Sequence, residues 1–205
     1  MVRVKICGLT NLEDALAAVE AGADALGFIF VPETPRYVTT QTVLEIVAQL
    51  PPFVVKVGVF VDEKLERVRE TMGIYGLDLA QLHGKETPEY CAALFPRAIK
   101  SVRVKDAASL TDLDRYRAVA YLLDTYVPGL PGGTGQAFDW RLAREATGHG
   151  PIVLSGGLTP KNVAEAIAIA RPYAVDVGSG VEARPGRKDH AKMRAFVQAA
   201  KSVKL

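Results

Sequence analysis

The chain has 205 residues, 49% of them hydrophobic, and a formal net charge of +2. A chain of this size and apolar content can bury a large core as one domain, and its basic residues are too scattered to recruit nucleic acid or an anionic membrane. No apolar run reaches bilayer length and the amino terminus lacks the pattern of a secretory signal, so the cytoplasm is the expected location. Two cysteines, Cys7 and Cys91, are too few for a disulfide framework. Neither has His or Cys neighbours at zinc spacing, so no metal site is expected.

The first predicted element is a strand, VRVKIC (residues 2–7), in which Val2, Val4 and Ile6 alternate with Arg3, Lys5 and Cys7. The two-residue period turns Cys7 away from the apolar face and toward two cations, so an exposed thiol is expected at the strand end. Thr10 and Glu13 have capping-box spacing, which predicts a helix whose positive end lies near that thiol. Both influences would favour the thiolate.

Strand-like and helical runs then alternate to the end of the chain. The strands are ADALGFIF, FVVKVGVF, LDLAQLHG, AIKSVRV, VAYLLD, PIVLSG and YAVDVGSG; between them lie helical patterns such as LEDALAAVEAG, TVLEIVAQL, EKLERVRETMG, TPEYCAALF and PKNVAEAIAIA. Cys91 falls within TPEYCAALF, where it packs as a small hydrophobe. Alternation of this kind implies parallel strands joined by right-handed crossovers. Eight units in 205 residues fit an α/β chain folded as a single-domain (β/α)8 barrel of eight parallel strands. An open doubly wound sheet is the alternative.

In a barrel the working residues sit where strands end and the following loops begin. Those positions hold Cys7, Arg36 in the loop after strand two, Gln81 and His83, Asp124, Gly156 and Gly157, and Asp176 through Gly178, Ser179 and Gly180. The glycines after strands seven and eight suit a phosphate, because backbone N–H groups can approach an anion where no Cβ intervenes. Their alternative role is to permit tight turns. Gly133, in the PGGTG loop after strand six, would add a donor or a mobile cover. Cys7 and Asp124 form a candidate base and acid for an isomerisation that needs no cofactor, although Asp124 could equally serve a turn. Arg36 can fork around a carboxylate, the alternative being an ordinary surface arginine. His83 is a third titratable group or an orienting one.

Taken in order, KICGLT, the segment from Phe30 to Arg36, QLHG, LLDT with PGGTG and FDW, SGGLTPKNV, and DVGSGVE with PGRKD resemble the phosphoribosylanthranilate isomerase family across nearly the whole chain. The resemblance implies an enzyme of tryptophan biosynthesis that converts N-(5-phosphoribosyl)anthranilate to 1-(2-carboxyphenylamino)-1-deoxyribulose 5-phosphate by an Amadori rearrangement. It implies a small phosphosugar substrate, no cofactor and no metal, and it leaves monomer or homodimer open. Under it Asp124 is the general acid, Cys7 the general base, Arg36 the anthranilate-carboxylate contact, and the glycine loops with Ser179 the phosphate grip. Thr34 and Gly178 depart from the family's usual serines. The rivals are the related histidine-pathway isomerase, which would carry Asp at position 7, and a barrel that binds phosphosugars without turnover.

Overall fold

The computed structural model describes residues 1–125 and 138–205. In chain order the elements are β1 (Arg3–Cys7), α1 (Leu12–Glu20), β2 (Ala25–Ile29), α2 (Thr40–Val47), β3 (Val55–Phe60), α3 (Leu65–Ile74), β4 (Leu79–Leu82), α4 (Pro88–Leu94), β5 (Ala98–Val104) and β6 (Ala120–Thr125). They continue with α5 (Trp140–Glu145), β7 (Ile152–Leu154), α6 (Val163–Ala170), β8 (Ala174–Val177), β9 (Glu182–Arg184), β10 (Arg187–Lys188) and α7 (His190–Ser202). Strands β1 to β8 are parallel and close on themselves, with β1 paired to both β2 and β8. This is the eight-stranded barrel expected from the alternation, and closure excludes the open sheet.

The period-two pattern sorts each strand between two cores. Val4, Ile6, Val175 and Val177 join the large apolar layer between strands and helices. The alternate positions face the barrel axis, where Val57, Ile99, Ala120, Leu122, Val153 and Ala174 fill a smaller inner core. Two residues further along the same strands, the inward positions become Ser101, Asp124, Ser155 and Asp176. One inward row therefore changes from apolar to polar as it approaches the C-terminal mouth.

Local details differ from the sequence expectations in three places. α1 is capped by Asn11, whose side chain accepts the Asp14 N–H, while Thr10 Oγ1 donates to the Gly186 carbonyl at 2.6 Å. The predicted Thr10–Glu13 box is thus absent, because Thr10 is drawn into a contact distant in sequence. No α-helix follows β5; two short 3-10 turns, Ala107–Leu110 and Leu113–Arg115, take its place. Asp106 closes a capping box on the first with Ser109, and this local hydrogen bonding competes with a continued helix. Beyond β8 the chain adds a hairpin, β9 with β10, for which the alternating pattern held no sign.

Candidate active site

A cavity of about 480 Å³ opens at the C-terminal end of the barrel, and its walls include Cys7, Arg36, Gln81, His83 and Asp124. Gly156, Gly157, Asp176, Gly178, Ser179 and Gly180 line the same cavity. All the candidate residues within the described segments therefore meet in one space; Gly133 lies outside those segments. Six strand ends and loops bring them together because every strand of a parallel barrel ends on the same face.

Cys7 is buried, at 8% exposure, which corrects the expectation of an exposed thiol. It does share the inward row with Lys5, as the alternation implied. The Lys5 ammonium, however, is committed to Asp176 at 2.8 Å, and Ser155 Oγ donates to the second Asp176 oxygen at 3.2 Å. A Cβ on Gly27 would lie 2.7 Å from Cys7 Sγ and 3.1 Å from Lys5 Nζ, so the bare backbone of β2 is what makes room for both groups. Burial pushes the thiol above its ordinary pKa; Lys5 pulls it down, Asp176 adds to the push, and the net direction is upward. The expected depression by nearby cations is overturned by desolvation.

Asp124 ends β6 facing the same cavity. One oxygen accepts the Thr125 N–H at 2.8 Å and the other lies 3.4 Å from His83 Nε2. Gln81 Nε2 stands 3.0 Å from His83 Nδ1. With the amide nitrogen facing the ring, Nδ1 is the acceptor and Nε2 carries the proton toward Asp124. Among the described residues Gln81 Oε1 is buried with no hydrogen-bond partner.

The glycine corner combines tight turns with exposed backbone donors, the geometry an anion site would use. Gly156 and Gly157 have φ of 83° and 65°, which turns the chain sharply after β7, and Asn162 Nδ2 braces the turn through the Gly157 carbonyl at 3.0 Å. Gly180 packs so tightly on the Leu158 carbonyl that no Cβ fits between them. Among the described residues, the N–H groups of Gly157 and Ser179 find no backbone acceptor, leaving donors at the start of the turn Ser179–Val181. A Cβ on Gly178 would make an ordinary van der Waals contact with the Cys7 carbonyl, at 3.7 Å, so no crowding requires glycine there.

Arg36 reaches the cavity from the β2–α2 loop. Its Nε and one terminal nitrogen donate to the two oxygens of Glu182, each at 2.8 Å. Glu182 and Lys188 were not assigned roles from sequence. Lys5 was marked by its shared period with Cys7, whereas the pairing of Arg36 with a residue 146 positions away had no sequence signal.

The family model of N-(5'-phosphoribosyl)anthranilate isomerase matches residues 4–199. This chain belongs to the phosphoribosylanthranilate isomerase family. A family member from Geobacter metallireducens is 54% identical over 98% of this chain and all of its own length. A crystal structure of monomers generated from the dimeric phosphoribosylanthranilate isomerase of Thermotoga maritima superposes with a TM-score of 0.89 at 43% identity, covering 99% of this chain and 100% of that one. Another phosphoribosylanthranilate isomerase structure, in complex with reduced 1-(o-carboxyphenylamino)-1-deoxyribulose 5-phosphate, also scores 0.89 at 45% identity with the same coverage. The family's phosphosugar chemistry and the phosphate-ready glycine corner point to the same mouth.

Proposed function

We propose that this chain, acting as a single catalytic barrel, isomerises N-(5'-phosphoribosyl)anthranilate to 1-(2-carboxyphenylamino)-1-deoxyribulose 5-phosphate in tryptophan biosynthesis, with Asp124 as acid and Cys7 as base. The observation that carries the reading is one cavity that holds both candidate proton-transfer groups together with an arginine and a glycine corner rich in backbone donors. The substrate has a carboxylate at one end and a phosphate at the other. Docked between Arg36 and the glycine loops, its sugar lies over the two groups that must exchange protons with it.

The Asp124 carboxyl gives its proton to the ribose ring oxygen. The bond from that oxygen to C1 breaks, and the nitrogen lone pair forms a C=N bond, leaving an iminium. The Cys7 thiolate removes the C2 proton; the released pair forms C1=C2 while the C=N electrons return to nitrogen. The resulting enolamine loses its C2 hydroxyl proton and gains one at C1, giving the ketone. Protons lost and gained balance, and the sulfur forms no covalent bond to carbon. Because burial raises the thiol pKa, the thiolate is the minority form at neutral pH. His83 holds Asp124 in place and Gln81 Oε1 accepts a sugar hydroxyl.

The test is to generate the substrate in situ and follow loss of its anthranilate fluorescence with purified protein. Turnover is expected, and its absence would sink the assignment.

As a partner we infer a second copy of this chain. At the opposite end of the barrel Phe53 is 97% exposed beside an apolar cavity of about 530 Å³ lined by Val55, Val57, Ile99, Val119 and Val153. A protruding ring next to an apolar hollow is complementary to its own copy, and the related Thermotoga enzyme is described as dimeric. We place the enzyme in the cytoplasm, where the pathway's intermediates are made; no described helix is long and apolar enough to cross a membrane.

A further inference from the structure

We propose that Glu182 and Lys188, on the hairpin after β8, are positioning residues that set Arg36 for the substrate carboxylate and tie it to the base strand and the phosphate loop. The proposal rests on Arg36 being that carboxylate contact.

Glu182 holds Arg36 by a forked pair at 2.8 Å on each arm. That fork uses one edge of the guanidinium and leaves its other N–H donors for a ligand. A lone pair of this kind would be electrically neutral, and Glu182 would compete with the substrate for the arginine. Lys188 removes the difficulty. Its ammonium, with the side chain fully buried, donates to Glu182 Oε1 at 3.2 Å, so one carboxylate is shared by two cations and the cluster keeps a net positive charge. Burial works against both charges: on Glu182 it is outweighed by Arg36 and Lys188, which hold the carboxylate pKa below its ordinary value, whereas on Lys188 it outweighs Glu182 and lowers the ammonium pKa, so the three acceptors around that ammonium are what hold it in place.

The two remaining donors of the Lys188 ammonium go to the carbonyls of Cys7, at 2.6 Å, and Gly178, at 3.0 Å. All three ammonium protons are thereby used. One buried lysine joins the end of β1, which carries the base, to the residue before Ser179. The hairpin that carries it is itself anchored: the Lys188 N–H donates to Asp14 of α1 at 2.9 Å. A Cβ on Gly186, at the hairpin turn, would lie 2.5 Å from the Pro35 carbonyl, next to Arg36. The clamp, the base and the phosphate loop are thus one frame, assembled before substrate arrives, and the cost of ordering a long arginine side chain is met during folding.

The experiment is a cycle of variants read as KM and kcat, with thermal melting to confirm folding. Arg36→Ala should raise KM; an unchanged KM would overturn the assignment of Arg36 itself, whatever Glu182 does. Glu182→Gln should raise KM about tenfold with kcat within about twofold, and should add nothing in the Arg36→Ala background. Glu182→Asp keeps the charge but is too short to hold both arms, so it should fold and still raise KM. Lys188→Met leaves Glu182 neutralising Arg36, so KM should again rise about tenfold, and adding Glu182→Gln should recover part of that loss. A Glu182→Gln effect that persists without Arg36, an unchanged KM in Lys188→Met, or no recovery in the double variant would each overturn the proposal.

Discussion

The two ends of this barrel are made from the same eight strands and the same inward rows, yet they have opposite chemistry. At the N-terminal end the inward residues are Val57, Ile99, Ala120, Val153 and Ala174, which pack against one another and floor an apolar hollow. At the C-terminal end the rows run on into Cys7, Gln81, Asp124, Ser155 and Asp176, which surround a cavity. Moving along a strand by two residues costs nothing in backbone geometry. It does exchange dispersion contacts for buried polar groups that each require a partner. The lower layer is the footing for the upper one, and the polar mouth is tolerable because nearly every group in it is paired, as Lys5 is with Asp176 and Lys188 with Glu182.

The contrast can be tested from the top of the barrel downward. Cys7→Ser and Asp124→Asn should each lower kcat by at least about a hundredfold with little change in melting temperature, since each removes a positioned proton-transfer group and almost no packing. Full activity in Asp124→Asn would transfer the acid to His83. Lys5→Met should cost about 3 to 5 kcal/mol of stability, because it strands the buried Asp176 charge. It should also change the reactivity of Cys7. Alkylation of the wild-type thiol should have its midpoint above the ordinary thiol value and that of Lys5→Met higher still, since Lys5 is the main influence pulling it down. A wild-type midpoint below the ordinary value would contradict the dominance of burial.

Below the mouth the effects should separate from catalysis. Ile99→Val, in the inner apolar layer, should cost about 0.5 to 1.5 kcal/mol and leave KM and kcat unchanged. A kinetic effect as large as that of the mouth variants would mean that the layer does more than support. Phe53→Asp should leave kcat unchanged while converting a dimer to a monomer in light scattering. A wild-type protein that is already monomeric would remove the proposed self-association, with no consequence for the site above.

How much of this was legible beforehand varies with the range of the interaction. The strands of the barrel follow from local alternation, and the strand-end rule then placed Cys7, Gln81, His83, Asp124 and Asp176 around one mouth. What was not legible depended on partners far away in the chain. Thr10 was lost to the α1 cap because Gly186 claims its hydroxyl, and Arg36 gave no sign that Glu182 already held it. The Cys7 thiol was misjudged for the same reason. Its neighbours in sequence are cations, but its environment is set by the closed barrel and by an aspartate on β8.

The sequence by itself determined the order of strands and helices, the division of each strand into an inward and an outward row, and the chemical types available at the mouth. Hydrophobic period and side-chain identity are local properties, and a chain carries them whether folded or not. Only the tertiary structure decided which cation meets which carboxylate, how deeply the base is buried, and which edge of Arg36 is left to face a ligand. These depend on desolvation and on distances between strands and loops that barrel closure brings together, and neither exists until the chain has folded.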